Sequence, residues 1–266
     1  MAFFEQFSLG NGFSRYFRIQ AAGSDEMRNA VFRIRHEVYC RELEFEPVRA
    51  DEMETDEYDT HSRHCLLFTA GESAVPVGCN RIVLARPSDP DFPLPFERTC
   101  DAALDRRIID PSRLPRETIA EVSRLAVRAH FRRRRSDGRT QVAISEDDYG
   151  SQERPRFPYI PVGLYLGAVF LAERQGIETL FVLTEPRLAA HFGKLGVKIR
   201  QIGSPVEHRG IRVPSMMDVQ SIIKNMRWLV RPIWNTVKEQ MQSGLDERLA
   251  AGFESPSNEG SPPTGP

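Results

Sequence analysis

Three groups of residues in this chain have types and spacings that could do chemistry. The first is acidic: Glu54, Asp56 and Asp59 sit within the polar run EFEPVRADEMETDEYDTHSRH. Long irregular runs inside a compact domain are commonly functional, although an acidic loop by itself reads as a solvated surface. Arginines elsewhere change that balance, because bidentate arginine–carboxylate contacts fix geometry well. Arg35 lies four residues before Tyr39, and Arg81 lies within GCNRIVL. The second group is Glu121, Ser123 and Arg124 in TIAEVSRLAV. A carboxylate in the middle of an apolar strand is rarely buried without a partner. The bland alternative is a surface glutamate. The third group is the run Arg132, Arg133, Arg134 and Arg135. Its default reading is a solvated face; contact with nucleic acid is a further reading.

The elements that must position these residues follow from periodicity and caps. SDEMRNAVFRIRHEVYCREL predicts a helix, with Ser24 as N-cap and Asp25 and Glu26 in the first turn, where the dipole favours anions. Met27, Val31, Ile34 and Val38 form its buried stripe. HCLLFT and PVGCNRIVLA flank the turn-like AGESAV and predict an antiparallel pair. A short helix is expected around residues 97–104, then a central strand at TIAEVSRLAV. IPVGLYLGAVFLAERQG reads as a helix whose Gly163, Gly167 and Ala168 allow close packing on a sheet, with Gly176 ending it. Next come the strand IETLFVLT, the short helix PRLAAHFGKLG opened by Pro186, and the strands VKIRQIG and IRVPSMMDV. A last amphipathic helix is expected over about 219–242. This order implies an α/β fold of mixed-sheet type with helices packed against it. The helical crossover makes the central strand and IETLFVLT parallel. Strict alternation would place Arg124 opposite Glu121 and Ser123, unless a bulge intervenes.

Composition narrows the classes. The chain has 266 residues, 40% hydrophobic and 27% charged, with a net charge of -1. That suits one domain with a buried core, and a nucleic-acid binder would need a local basic patch. We expect a single domain over 1–243, including an insert at about 136–158, and a disordered Pro/Gly/Ser-rich tail over 244–266. The four cysteines form no C-x-x-C pair and have no zinc-ligand spacing, so reduced core cysteines and no metal are expected. The opening MAFFEQFSLGNGF carries Glu5 and no continuous apolar stretch, and no apolar run approaches a membrane span; a cytoplasmic location is expected. The helix expected to hold Trp228 and Trp234 leaves peripheral membrane contact open beside packing on the domain.

Three segments together carry a resemblance: IRHEVYCRELEFEP running into EMETDEYD, then Arg81 in GCNRIVL, then AEVSRLAV. They resemble the acyl-homoserine-lactone synthase family, the autoinducer synthases. The family pattern falls on Arg35, Tyr39 and Phe45, then Glu54, Asp56 and Asp59, then Arg81, and finally Glu121, Ser123 and Arg124. The likeness covers about residues 27–127. It implies the GNAT acyl-CoA N-acyltransferase fold, in which a bulged central strand splays from its parallel neighbour and the gap receives the pantetheine arm. Phe45 stands where tryptophan is usual. LAVRAHFRRRRSDG lacks the glycine pattern that holds coenzyme A pyrophosphate, which favours acyl carrier protein over coenzyme A as donor. Length and insert look closer to the N-acyl amino acid synthases and the acyltransferases associated with the PEP-CTERM/exosortase system.

The resemblance implies transfer of a medium- or long-chain acyl group to a small amine such as an amino acid, with no metal or redox cofactor. Glu121 would be the base, with Ser123 and Arg124 beside it. Arg35, Tyr39, Phe45, Arg81 and the three acids would organise the amine site, and Arg132–Arg135 would meet the carrier. The competing readings are a homoserine-lactone synthase using S-adenosylmethionine and a non-catalytic acyl- or partner-binding module.

Overall fold

The computed structural model describes residues 2–86, 88–132 and 158–250. Its centre is one mixed sheet. The strands are β1 (Phe17–Ala21), β2 (Ser62–Thr69), β3 (Pro76–Leu84), β4 (Ile119–Val127), β5 (Thr179–Thr184), β6 (Arg200–Gln201), β7 (Val206–Glu207) and β8 (Ile211–Asp218). The order across the sheet is β1-β2-β3-β4-β5-β8-β6, with β7 paired to β8. Neighbours are antiparallel except β4 and β5, which run parallel as the crossover requires.

Helices cover both faces. On one side lies α4 (Tyr159–Arg174), buried from Pro161 to Ala172. Its Gly167 touches the sheet: a Cβ there would come 2.7 Å from Ile19 Cδ1 and 2.9 Å from Cys65 Sγ. Gly167→Ala should therefore cost about 1–3 kcal/mol by overpacking, read as a lower urea midpoint. On the other side lies α2 (Asp25–Arg35), capped by Ser24, whose side chain accepts from the Met27 N–H. Val31, Ile34, Val38 and Tyr39 form a second core with Leu66, Cys79 and Ala126. From His36 to Glu42 this helix widens into π geometry, a local form common at functional sites. The short α3 (Pro95–Cys100) packs on the same side, Phe96 stacking on Phe181 with centroids 4.4 Å apart. All four cysteines are buried and free.

Several elements differ from expectation. A first helix, α1 (Ala2–Tyr16), and β1 precede the segment where regular structure was expected to begin. After α5 (Pro186–Lys194), the VKIRQIG strand shrinks to two residues. The expected last helix is two: α6 (Val219–Asn225) and α7 (Arg231–Ala250). Met226 is extended at ψ 128, and Pro232, at the start of α7, biases its preceding residue away from a continuing helix. Trp234 is buried in α7 while Trp228 lies exposed in the link, so the two do not share one helical face. α7 also continues past Ser243 to Ala250. Residues 251–266, most of the expected insert and Arg133–Arg135 lie outside the described residues. Among the described residues, no helix is long and apolar enough to cross a membrane.

Candidate active site

The acidic segment is built by local capping. Asp56 Oδ1 accepts the Tyr58 N–H at 3.0 Å, and Asp59 Oδ2 accepts the Asp56 N–H at 2.8 Å. This reciprocal pair starts a 3₁₀ turn, Glu57–His61, and fixes why the two aspartates stand three apart. The Glu54 N–H bonds the Phe32 carbonyl at 3.1 Å, and the Arg49 N–H bonds His36 Nε2 at 3.1 Å, tying the segment to α2.

Three arginines then meet three carboxylates. Arg35, from the end of α2, is fully buried; its Nε bonds Glu54, and its two terminal nitrogens grip Asp59 at 2.6 and 3.1 Å. Arg81 on β3 reaches Asp56 at 2.6 and 2.8 Å, Asp59 at 2.6 Å and Ser123 Oγ at 3.0 Å. Arg124 reaches Glu54 at 3.2 Å and Asp56 at 2.9 Å. Burial by itself would raise the Asp59 pKa, but Arg35 and Arg81 outweigh it and hold the carboxyl far below its ordinary range. Glu54 and Asp56 are lowered in the same way, against burial, by Arg35 and Arg124 and by Arg81. The sign follows: stability from this cluster is complete above the ordinary carboxylate range and is lost as pH falls through the lowered values. Thermal midpoints should therefore hold from neutrality to about pH 5 and drop below about pH 4, read by calorimetry across pH.

A bulge in β4 aims Arg124. Cys79 pairs with Ala126 and Arg81 with Ser123, so two steps on β3 oppose three on β4. Arg124 takes a left-handed φ of 52°. The extra residue breaks alternation and puts Arg124 on the face of Glu121 and Ser123. Tyr39 holds the bulge by donating its hydroxyl to the Leu125 carbonyl at 3.0 Å, and the Arg124 guanidinium sits over its ring at 5.7 Å.

β4 and β5 stay paired only to Val122 and Val182. Beyond that point they part, and a cleft of about 1200 Å³, counted out to open solvent, occupies the split. Tyr39, Phe96, Glu121, Ser123 and Arg124 line its polar side; Val122, Leu125, Tyr165, Val182 and Phe192 line its apolar side, under α4 and α5. Glu121 is buried, and its Oε2 accepts the Phe96 N–H at 2.7 Å. Burial pushes its pKa up to about 8, against the Phe96 N–H and the charges of Arg81 and Arg124.

The expected site residues thus divide. Glu121, Ser123, Arg124 and Tyr39 border the cleft. Arg35, Glu54, Asp56, Asp59 and Arg81 lie behind them as an ion-pair network. Phe45 packs on the second core, with Arg209 5.8 Å over its ring. Arg132 turns inward onto Glu42. Cleft residues not expected from the sequence are Asn80, Phe96, Phe192, and His208, Arg209 and Arg212 at the β7–β8 turn. The turn itself was legible in His208-Arg209-Gly210, but its reach across the cleft is a tertiary fact.

Residues 34–140 match the family model described as Acetyltransferase (GNAT) domain. That stretch is similar to a GNAT acetyltransferase domain, and the fold is GNAT-like. Solved structures extend the likeness beyond the matched segment. The acyl-homoserine-lactone synthase LasI superposes with TM-score 0.53 at 16% identity, covering 79% of this chain and 93% of that one. BjaI, a CoA-dependent acyl-homoserine lactone synthase solved with SAM and isopentyl-CoA, gives 0.52 at 20%, covering 82% and 89%. FeeM, an N-acyl amino acid synthase from uncultured soil microbes, gives 0.50 at 15%, covering 79% and 95%. At these identities the likeness is one of fold. No curated protein matches the sequence. β4 lies within the matched stretch and β5 beyond it, and the cleft opened where they part is the candidate active site.

Proposed function

We propose that this protein is an N-acyltransferase that moves a fatty acyl group from a thioester to the amine of a small acceptor, with an amino acid as the acceptor class. The observation that carries this reading is the position of Glu121. It is a buried carboxyl with a pKa near 8, set where β4 leaves β5 and a polar cleft face meets an apolar one. A thioester lying in the split would put its acyl chain on the apolar side and its carbonyl beside the bulge. The acceptor would enter from the Arg124 side.

The amine nitrogen attacks the thioester carbonyl carbon. The new C–N bond forms, the C–S bond breaks, Glu121 takes the amine proton, and the sulfur leaves as a thiol after protonation. Backbone N–H groups at the bulge would face the developing oxyanion. Arg124, held by Glu54 and Asp56, would orient the acceptor. Acyl carrier protein is the proposed donor, because the glycine pattern for pyrophosphate is missing after β4. The deciding experiment is mass spectrometry of lipid extracts from cells with and without the protein. Acyl amino acids are the expected new species. Acyl lactones would instead assign the homoserine-lactone reaction, and no new acyl amide with a full panel of carriers and amines would refute acyl transfer.

A further inference from the structure

We propose that Arg209 and Arg124 together hold the carboxylate of the acceptor, and that Glu46 keeps that place until the acceptor arrives. This inference rests on the acyl-transfer reading above and names the feature by which an amino acid is chosen over a plain amine. Both arginines line the cleft, Arg124 from the bulge of β4 and Arg209 from the turn between β7 and β8. Both have left-handed backbones, at φ 52° and 56°. They meet on one atom. The Arg209 guanidinium bonds Glu46 Oε1, and Arg124 Nη2 lies 3.6 Å from the same oxygen. Two cleft-lining cations from distant elements thus converge on a single carboxylate oxygen.

The surrounding charges show what the site would take. Arg35, Arg81 and Arg124 are matched by Glu54, Asp56 and Asp59. Arg212 is matched by Glu185, and Arg209 by Glu46. If Glu46 turns away, a single positive charge is left at the cleft, which one carboxylate neutralises. Glu46 can turn without disturbing its loop. The Phe45 and Glu46 N–H groups both bond the Tyr39 carbonyl, at 2.7 and 3.1 Å, so the backbone stays while the side chain moves. Arg209 is fixed instead. Its carbonyl and that of His208 accept from Arg212, at 3.1 and 3.4 Å, and the Gly210 N–H donates to Glu207 Oε1 at 2.8 Å. A left-handed arginine is strained, and such strain persists where the surroundings impose it, commonly at ligand sites. Burial and the charges of Arg209, Arg212 and Arg124 hold His208 below its ordinary pKa, against the pull of Glu46. This corner of the cleft is therefore positive enough to receive an anion. Glu121 lies three residues before Arg124 and on the same face. In an α-amino acid one carbon separates amine from carboxylate, so a carboxylate held at Arg124 puts the amine on the Glu121 side.

The test compares each standard amino acid with the amine that lacks its carboxylate, as acceptor in turnover and as ligand in calorimetry. The wild type should favour at least one amino acid over its amine by about 10- to 100-fold, the worth of a hydrogen bond to a charged group. Arg209→Ala should erase most of that preference through KM, with kcat kept and the amine unaffected. Arg209→Lys should restore part of it, since a point charge replaces the planar fork. Glu46→Gln should lower KM for the amino acid by freeing both arginines, and leave the amine unchanged. A tie that merely staples the turn predicts otherwise: Glu46→Gln and Arg209→Ala would weaken amino acid and amine alike and lower the thermal midpoint together. That outcome, a preference in Arg209→Ala equal to the wild type's, or a wild type indifferent to the carboxylate would overturn the subsite. Calorimetric binding of an amino acid that needs Arg209, with no acyl amide formed, would keep the subsite and sink acyl transfer. Acyl amides formed from amines and amino acids alike would keep acyl transfer and sink the subsite.

Discussion

Glu121→Gln should lower kcat by about 10²- to 10⁴-fold while leaving acyl-donor binding intact, the range expected when a general base is lost. The substitution keeps the shape and an oxygen for the Phe96 N–H, so the carboxyl alone is removed. The wild-type profile should show it directly. A base with its pKa pushed up to about 8 is mostly protonated at neutrality, so kcat/KM should rise through about pH 8 in addition to the rise from the amine's own titration. In Glu121→Gln that limb should vanish, leaving only the titration of the amine. Stability should move the other way. The folded pKa of Glu121 lies above its ordinary value of 4.5, so folding favours its proton. Its penalty is absent below that ordinary value and grows as pH rises towards 8. The glutamine variant should therefore match the wild type in acid and exceed it in thermal midpoint above about pH 8. A variant less active and less stable at every pH would speak for a purely structural carboxyl.

Arg35→Ala should be the most damaging change to the fold, costing about 3–5 kcal/mol against a total stability of about 5–15 kcal/mol. Arg35 is wholly buried, and its loss leaves the peripheral Arg124 as the arginine on Glu54, and Arg81 and the Asp56 N–H on Asp59. Arg35→Ala should appear as a large drop in urea midpoint or as insoluble protein. Arg124→Ala is the contrast. Without it, Glu54 keeps Arg35 and Asp56 keeps Arg81. That variant should fold and lose turnover. If Arg124→Ala and Arg35→Ala unfold alike, the division between cleft-facing and supporting arginines is wrong.

How far the sequence announced this arrangement depends on the residue. Ser24 and the stripe from Met27 to Val38 specify α2 locally, and TIAEVSRLAV and IETLFVLT declare themselves as strands. The parallel β4–β5 pair then follows from the crossover between them. The motif from Arg35 to Asp59 and from Glu121 to Arg124 named residues that border the candidate cleft or lie behind it. Its division into cleft and support was not legible, because both kinds of residue are charged and only burial separates them. Asp56-x-x-Asp59 was legible as a cap and passed for a loop. The orientation of Arg124 could not be read, since a left-handed arginine breaks the alternation on which strand reading depends. The opening helix was missed because MAFFEQFSLGNGF contains two glycines and owes its place to α7 at the far end of the chain, where Gly10 meets the Pro232 carbonyl.

Release of free thiol tests the central claim most directly. Purified protein mixed with acyl-loaded carrier protein should liberate thiol only when an amine acceptor is present, one for each amide formed, and Glu121→Gln should slow that release by about 10²- to 10⁴-fold. Thiol release that ignores the amine, or none with any donor the protein binds, would contradict an acyl group passing from thioester to amine at Glu121.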